Sequence, residues 1–154
     1  MRKILAVAVL MVGLVAAATS ADVVPLIAGQ HSDVGSVTVY TNGVDLFVEY
    51  TTTGGWQLEE THLYVGTEPP TKSAPGRFPY KHEALGGATS DSYQISWGGY
   101  GGGCGYTLYI ACHAVVVNSE GGKDEETAWG EGELIGKNWA MYFAVTLPEC
   151  GGTD

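Results

Sequence analysis

Apolar and polar residues alternate along much of this chain, which is typical of β-strands that bury one face. The alternation runs through residues 36–40 and again through residues 45–52. Between these runs, Asn42-Gly43 predicts a hairpin turn, because both residues tolerate positive φ angles. Residues 106–117 are apolar on both faces and predict a central strand that is covered on both sides. Further strands are predicted over residues 61–67, 92–97 and 138–147.

Turn-forming residues separate the predicted strands, and no segment after the first twenty residues has the apolar period of a capped helix. Residues 68–88 hold four of the six prolines, which predicts a long surface excursion. Residues 98–105 are rich in glycine and precede a strand, so they predict a turn and not a phosphate-binding loop. These features predict an all-β fold, an antiparallel two-sheet β-sandwich of the immunoglobulin-like or jelly-roll type.

The core expected for such a fold consists of apolar residues that share one parity along their strands. We expect these residues to be mostly buried. They are Val37, Val39, Leu46, Val48, Leu63, Val65, Ile95, Leu108, Ile110, Met141, Phe143 and Val145.

The first 21 residues have the pattern of a secretion signal. Met1-Arg2-Lys3 is positively charged, residues 4–18 are apolar, and small residues follow up to Ala21. An apolar run of this length is short for a bilayer-spanning helix, which needs about 20 residues. We therefore predict a signal peptide over residues 1–21 and one exported domain over residues 22–154, without a membrane span.

The charge of the chain excludes some classes of partner. The sequence has 17 acidic and 7 basic residues, and it is rich in glycine, with 23 of them. Without the leader cations Arg2 and Lys3, five basic residues remain against 17 acidic ones, a formal charge of −12. Nucleic acids and anionic membrane surfaces would be repelled by this charge.

Several segments resemble a domain of unknown activity that occurs in exported prokaryotic proteins, both secreted and cell-surface, often beside other surface modules. The segments are PLIAGQH (25–31), ETHLYVG (60–66), PGRFPY (75–80), LYIACHA (108–114), ETAWG (126–130) and GKNWA (136–140). The resemblance covers nearly the whole predicted domain. It implies an exported β-sandwich and brings no catalytic activity with it.

The candidate site with the clearest chemistry consists of histidines and carboxylates. Glu60 and His62 share one strand face, His113 lies in a strand that could be the neighbour, and Glu126 is a candidate fourth member. Two imidazoles and a carboxylate suit zinc or a similar divalent ion. The alternative is that the histidines are half-buried and hold the sheet to its loops through hydrogen bonds.

Calcium and carbohydrate are two further candidate ligands. The acidic residues 124–126, with Glu131 and Glu133, could offer oxygen ligands to calcium, although they lack the spacing of an EF-hand loop. Trp56 and Tyr100 lie in glycine-flanked turns, and we expect both rings to be exposed. Such rings could stack on sugar faces. A charged turn and ordinary core packing are the alternatives.

The three cysteines allow at most one intramolecular disulfide bond. Cys104 lies in the glycine-rich turn and Cys150 in the C-terminal tail, where the chain can adapt to the geometry of a disulfide. Cys112 lies in the middle of the predicted central strand. We therefore expect Cys104 to pair with Cys150 and Cys112 to remain a buried free thiol.

Signatures of catalysis are weak in this sequence. It has neither an HExxH metalloprotease motif nor a G-x-S-x-G elbow. We therefore predict a non-catalytic binding or adhesion module, secreted or on the cell surface, with a surface polysaccharide or another surface protein as partner. The alternatives are a small metal-binding or carbohydrate-binding domain and, after these, a metal-dependent hydrolase.

Overall fold

A computed structural model describes residues 21–96, 105–120 and 123–148. These residues form ten β-strands and one short 3-10 turn at Pro75–Arg77, with no α-helix among them. The strands are β1 (Asp22–Ala28), β2 (Ser32–Thr41), β3 (Asp45–Thr52), β4 (Trp56–Gly66), β5 (Tyr80–His82), β6 (Ser90–Ser96), β7 (Thr107–Asn118), β8 (Lys123–Gly130), β9 (Glu133–Leu134) and β10 (Met141–Thr146). Within the described ranges, no helix has the length and apolar character that crossing a membrane requires.

All strand pairs are antiparallel and belong to one sheet that is curled into a half-barrel. The order is β5-β4-β7-β8-β1-β2-β3-β6. The strand β10 pairs with the first residues of β7, and β8 pairs with the later ones. Bulges interrupt the pairing of β1 with β2, of β4 with β7 and of β7 with β8, and bulges bend strands. The all-β, antiparallel prediction is confirmed. The two-sheet sandwich is not, because hydrogen bonds join the strands into one continuous sheet.

Curling brings the two ends of the sheet face to face. The Tyr50 hydroxyl of β3 donates to the His62 carbonyl of β4 at 3.1 Å. The segment after β5 closes the gap further, since Leu58 N donates to Ala88 O and Thr52 N donates to Thr89 O. We call this junction between β4–β5 and β3–β6 the seam.

The inner face of the curled sheet holds the main core. Eleven of the twelve residues expected there are buried, as the shared parity predicted. The exception is Met141, which is partly exposed and packs with a second cluster on the outer face. It is the first residue of β10 and pairs with Leu134 of the short, exposed β9, so it lies beyond the edge of the main core.

The hairpin of β2 and β3 forms where the sequence predicts it, but its turn differs in detail. The loop is wider than the two-residue Asn-Gly turn, because the last ladder pair is Thr41 and Leu46. Only Gly43 has a positive φ angle there, 89°. Asn42 instead accepts hydrogen bonds from Val44 N and Asp45 N through its side-chain oxygen. Asn42 therefore stabilises the turn with its side chain and not with an unusual backbone angle.

A second, smaller apolar cluster covers the outer face of β4, β7 and β8. The proline-rich excursion after β4 supplies Phe78, and the segment between β9 and β10 supplies Ile135 and Ala140. They pack on Ala111 of β7 and Trp129 of β8, so β7 is buried on both faces, as its sequence predicts. We call residues 67–79 the cover loop. Phe78 attaches this loop to the outer face of β7 and β8.

Four strands were not predicted from the sequence: β1, β5, β8 and β9. β1 pairs with β2 and β8, and β8 pairs with β1 and β7. The acidic run in β8 suggested a solvated turn, yet Asp124 and Glu125 are exposed members of a strand. Burial of Ala128 and Trp129 at the end of the strand outweighs the low β-propensity of its acidic start.

Candidate functional site

Two histidines face each other on adjacent strands, on the outer side of the sheet. His62 of β4 and His113 of β7 are direct register partners, so their side chains leave the sheet on the same face. Their Nδ1 atoms are 3.0 Å apart, and both residues are buried. The structure thus brings together the two histidines that the sequence pattern placed on candidate neighbouring strands.

Two carboxylates lie at the other edge of the His62 ring. Glu83 Oε1 is 3.2 Å from His62 Nε2, and Glu60 Oε2 is 3.8 Å from the same atom. Because a carboxylate only accepts hydrogen bonds, His62 Nε2 donates to Glu83. A second hydrogen bond joins Nδ1 of His62 to Nδ1 of His113. One proton between the rings satisfies both buried nitrogens.

His113 is held in its uncharged form. Its ring packs against Trp129 of β8, with the ring centroids 4.9 Å apart. Burial, together with the nearby His62, lowers the pKa of His113 to about 3. At neutral pH the pair therefore joins two parts of the sheet through a hydrogen bond and does not carry a charge on His113.

The predicted metal site is incomplete in this geometry. Glu126 is the register partner of Val116, whose side chain is in the main core, while His113 and its partner Trp129 lie on the opposite face. Including Glu126 with the histidines was therefore wrong. Glu126 and Trp129 are three residues apart on β8, and residues an odd number apart on a strand point to opposite faces. Among the described residues, no three His, Cys, Asp or Glu side chains converge on a metal position.

Glu83 is the partner that the sequence pattern missed. It follows the short strand β5 at the end of the proline-rich excursion, where no alternation indicates its direction. Its position depends on the pairing of β5 with β4, which sets Lys81 opposite His62. A contact of this kind between a loop and a strand far away in sequence has no signal in a single sequence.

A second polar network joins the two ends of the sheet at the seam. The Asp91 carboxylate of β6 accepts hydrogen bonds from Thr61 Oγ1 at 2.5 Å and from His82 Nδ1 at 2.9 Å. The Tyr93 hydroxyl lies 2.7 Å from Thr61 Oγ1, and the His82 ring stacks on the Tyr93 ring at 4.2 Å. The side chain of Asp91 is only 10% exposed, so these bonds replace most of its contact with water.

Removing this carboxylate should weaken the seam. We expect Asp91→Ala to lower the free energy of unfolding by about 2–3 kcal/mol, because Thr61 and His82 lose a charged acceptor. Urea denaturation of the purified domain measures the change. Ser92→Ala, at an exposed position of the same strand, is the control and should change stability by less than about 0.5 kcal/mol. Equal stability of the Asp91 and Ser92 variants would show that the network does not support the seam.

The predicted aromatic platform is only partly described. Trp56 is partly buried and packs against the main core, so its ring is not the freely exposed surface that was expected. Tyr100 lies outside the described residues. The two rings therefore give no common sugar-binding surface within the described part of the chain.

Of the three cysteines, only Cys112 lies among the described residues. Cys104 and Cys150, the predicted disulfide pair, lie outside the described residues. Cys112 is a buried free cysteine on the inner face of β7. Burial raises the pKa of its thiol to about 12, so the thiol stays protonated at neutral pH and is a poor nucleophile.

The cover loop forms an open groove on the outer surface. It encloses about 370 Å³ between Tyr64 of β4 and the loop itself. The loop residues that line it are Glu68, Pro69, Pro70, Thr71, Lys72, Arg77, Phe78 and Pro79. The Tyr64 hydroxyl donates to the Glu68 carbonyl at 2.6 Å, and Phe78 is buried beneath the loop. Both contacts attach the cover loop to the sheet.

Comparison with known proteins found no matching family model, no matching curated protein and no matching solved structure. The functional argument therefore depends on the geometry and charge of the described residues.

Proposed function

We propose that this protein is an exported, non-catalytic binding module and that its ligand occupies the groove of the cover loop. The observation that carries the proposal is the groove itself. Its floor is anchored by Phe78, while Lys72 and Arg77 are exposed at its wall. Exposed cations held on an anchored loop are available to a ligand.

The other reactive groups support a binding role over a catalytic one. His62 and His113 are buried and hydrogen-bonded to each other, and His82 is hydrogen-bonded to Asp91 across the seam. Cys112 is buried in the main core with a raised thiol pKa. The histidines have hydrogen-bonding partners and Cys112 is packed in the main core, so none of them requires a reaction as an explanation.

Export is part of the proposal. The strand β1 begins at Asp22, directly after the cleavage position inferred for a signal peptide over residues 1–21. The resemblance to domains of secreted and cell-surface proteins supports the same location. N-terminal sequencing of the protein recovered from the medium or the cell surface of a bacterial host should then begin at Asp22.

Filling the groove should abolish binding if the ligand lies there. Thr71 is exposed and lines the groove, so Thr71→Trp adds a large side chain without changing any charge. On an array of cell-surface polysaccharides, we expect the unmodified domain to bind at least one polymer and Thr71→Trp to lose that signal at least tenfold. Val44→Trp, at the exposed tip of the β2–β3 hairpin, is the control. A Thr71→Trp variant that binds like the control would place the ligand elsewhere.

A further inference from the structure

The positive charge of this acidic protein is concentrated around the groove. After residue 21 the sequence has only five lysines and arginines, and four of them lie in the cover loop or in segments that contact it. Lys72 and Arg77 line the groove, and Lys81 Nζ donates to Gly76 O at 2.7 Å, which places its ammonium group over the loop. Lys137 precedes Asn138, whose side chain donates to Ser73 Oγ at 2.8 Å. Two further segments of the chain, one with Lys81 and one with Lys137, thus contact the loop that carries Lys72 and Arg77.

Among the described residues, none of these cations is paired with a carboxylate. Within the described part of the chain, every ion pair shorter than 4.0 Å contains a histidine, and none contains Lys72, Arg77, Lys81 or Lys137. Glu68 is the one carboxylate that lines the groove. A protein with 17 acidic residues could pair these cations easily, so their grouping without carboxylate partners indicates an external anion.

The remaining wall of the groove is flat and stiff. Tyr64 offers an aromatic ring, and Pro69 and Pro79 offer exposed rings with fixed φ angles. Such surfaces pack against the apolar faces of ring-shaped ligands at a low cost in conformational entropy. The groove therefore combines cations with ring-shaped apolar contacts, which matches a chain of sugar rings that carry carboxylates.

We propose that the groove binds a carboxylated polysaccharide, with Lys72 and Arg77 pairing with carboxylates and the Tyr64 side packing on the sugar rings. This inference rests on the proposed function and adds the chemistry of the ligand. A nucleic acid fits less well, because a duplex carries a charge about every 1.7 Å along its axis and most of it would face the acidic remainder of the surface. A protein partner would not need the sugar-ring contacts.

The test compares one polymer in its charged and neutral forms. The probes are polygalacturonate and fully methyl-esterified polygalacturonate, with binding to the domain measured by calorimetry at low salt. We expect binding to polygalacturonate and at least tenfold weaker binding to the ester. The double variant Lys72→Gln/Arg77→Gln should weaken binding to polygalacturonate at least tenfold, and 0.5 M salt should weaken it in the same way. Lys123→Gln removes a charge from the end of β8 and should leave binding unchanged.

The outcomes separate this inference from the proposed function. Equal binding of the charged polymer and its ester, lost in Thr71→Trp, would overturn the carboxylate recognition while leaving the groove as the binding site. Binding to polygalacturonate that Thr71→Trp does not affect would overturn both. Absence of binding to polygalacturonate would overturn the inference, and the array with Thr71→Trp would still test the groove. Equally tight binding to single-stranded DNA would show general anion binding and would also overturn it.

Discussion

The free energy of unfolding should fall by about 2 kcal/mol when the pH is lowered from 7 to 5, because of His113 alone. The pKa of this residue is about 3 in the folded protein, against an ordinary value of 6.5, because the ring is buried and close to His62. Between about pH 3 and pH 6.5, His113 therefore binds up to one proton more in the unfolded chain than in the folded protein. The loss of stability is therefore negligible above about pH 7.5, grows as the pH falls through 6.5, and reaches about 4 kcal/mol near pH 3.

Urea denaturation at a series of pH values measures this slope. In His113→Gln the contribution of about 1.4 kcal/mol per pH unit below pH 6.5 should disappear, since glutamine does not titrate. His31→Gln is the control, because His31 is exposed in the turn after β1 and should keep the slope. His62 and the carboxylates of Glu60 and Glu83 beside it remain in both variants. An unchanged slope in His113→Gln would show that His113 titrates normally in the folded protein.

Loss of the predicted disulfide bond between Cys104 and Cys150 should destabilise the domain by up to about 4 kcal/mol. The bond would close a loop of 46 residues, and the chain-entropy model gives this magnitude for a loop of that size. Both cysteines lie outside the described residues, but their described neighbours are joined, since Gly105 N donates to Pro148 O at 3.0 Å. Export to an oxidising compartment favours the bond.

Single and double variants test the bond without assuming its geometry. Cys104→Ser, Cys150→Ser and the double variant should all lose the same amount of stability, because either single change removes the whole crosslink. Peptide mapping without reduction should find a fragment that joins residues 104 and 150. A fragment that links Cys112 to either residue, or single variants as stable as the unmodified protein, would contradict the pairing.

The alternation of apolar and polar residues was enough to predict the main strands and the core. It works because each strand buries one face, so parity alone separates Val37 and Val39 from the exposed side. It fails where the period is broken. Leu58 and Leu63 are five residues apart and both face the main core, because a bulge between Leu58 and Glu60 shifts the parity of β4. No local feature of the sequence indicates that bulge.

The candidate sites show the same limit. The sequence was sufficient to put Glu60 and His62 on one face and to suggest His113 as a neighbour, because side-chain direction along a strand is local. It grouped Glu126 with them, which the register of β7 and β8 contradicts. The position of Glu83, the contact of Asp91 with His82 and the groove all depend on segments that meet only after the chain has folded.

The sequence by itself determined that the domain is acidic and all-β. It also determined which strands have a clear period and which apolar residues of those strands are buried. These properties follow from the chemistry of each residue and its immediate neighbours. Only the tertiary structure decided that one sheet curls into a half-barrel, and that the distant segments of Ser73 and Asn138 meet at one loop. The physical reason is that register, bulges and loop packing are set by contacts between residues far apart in the chain, whose free energies no local pattern records.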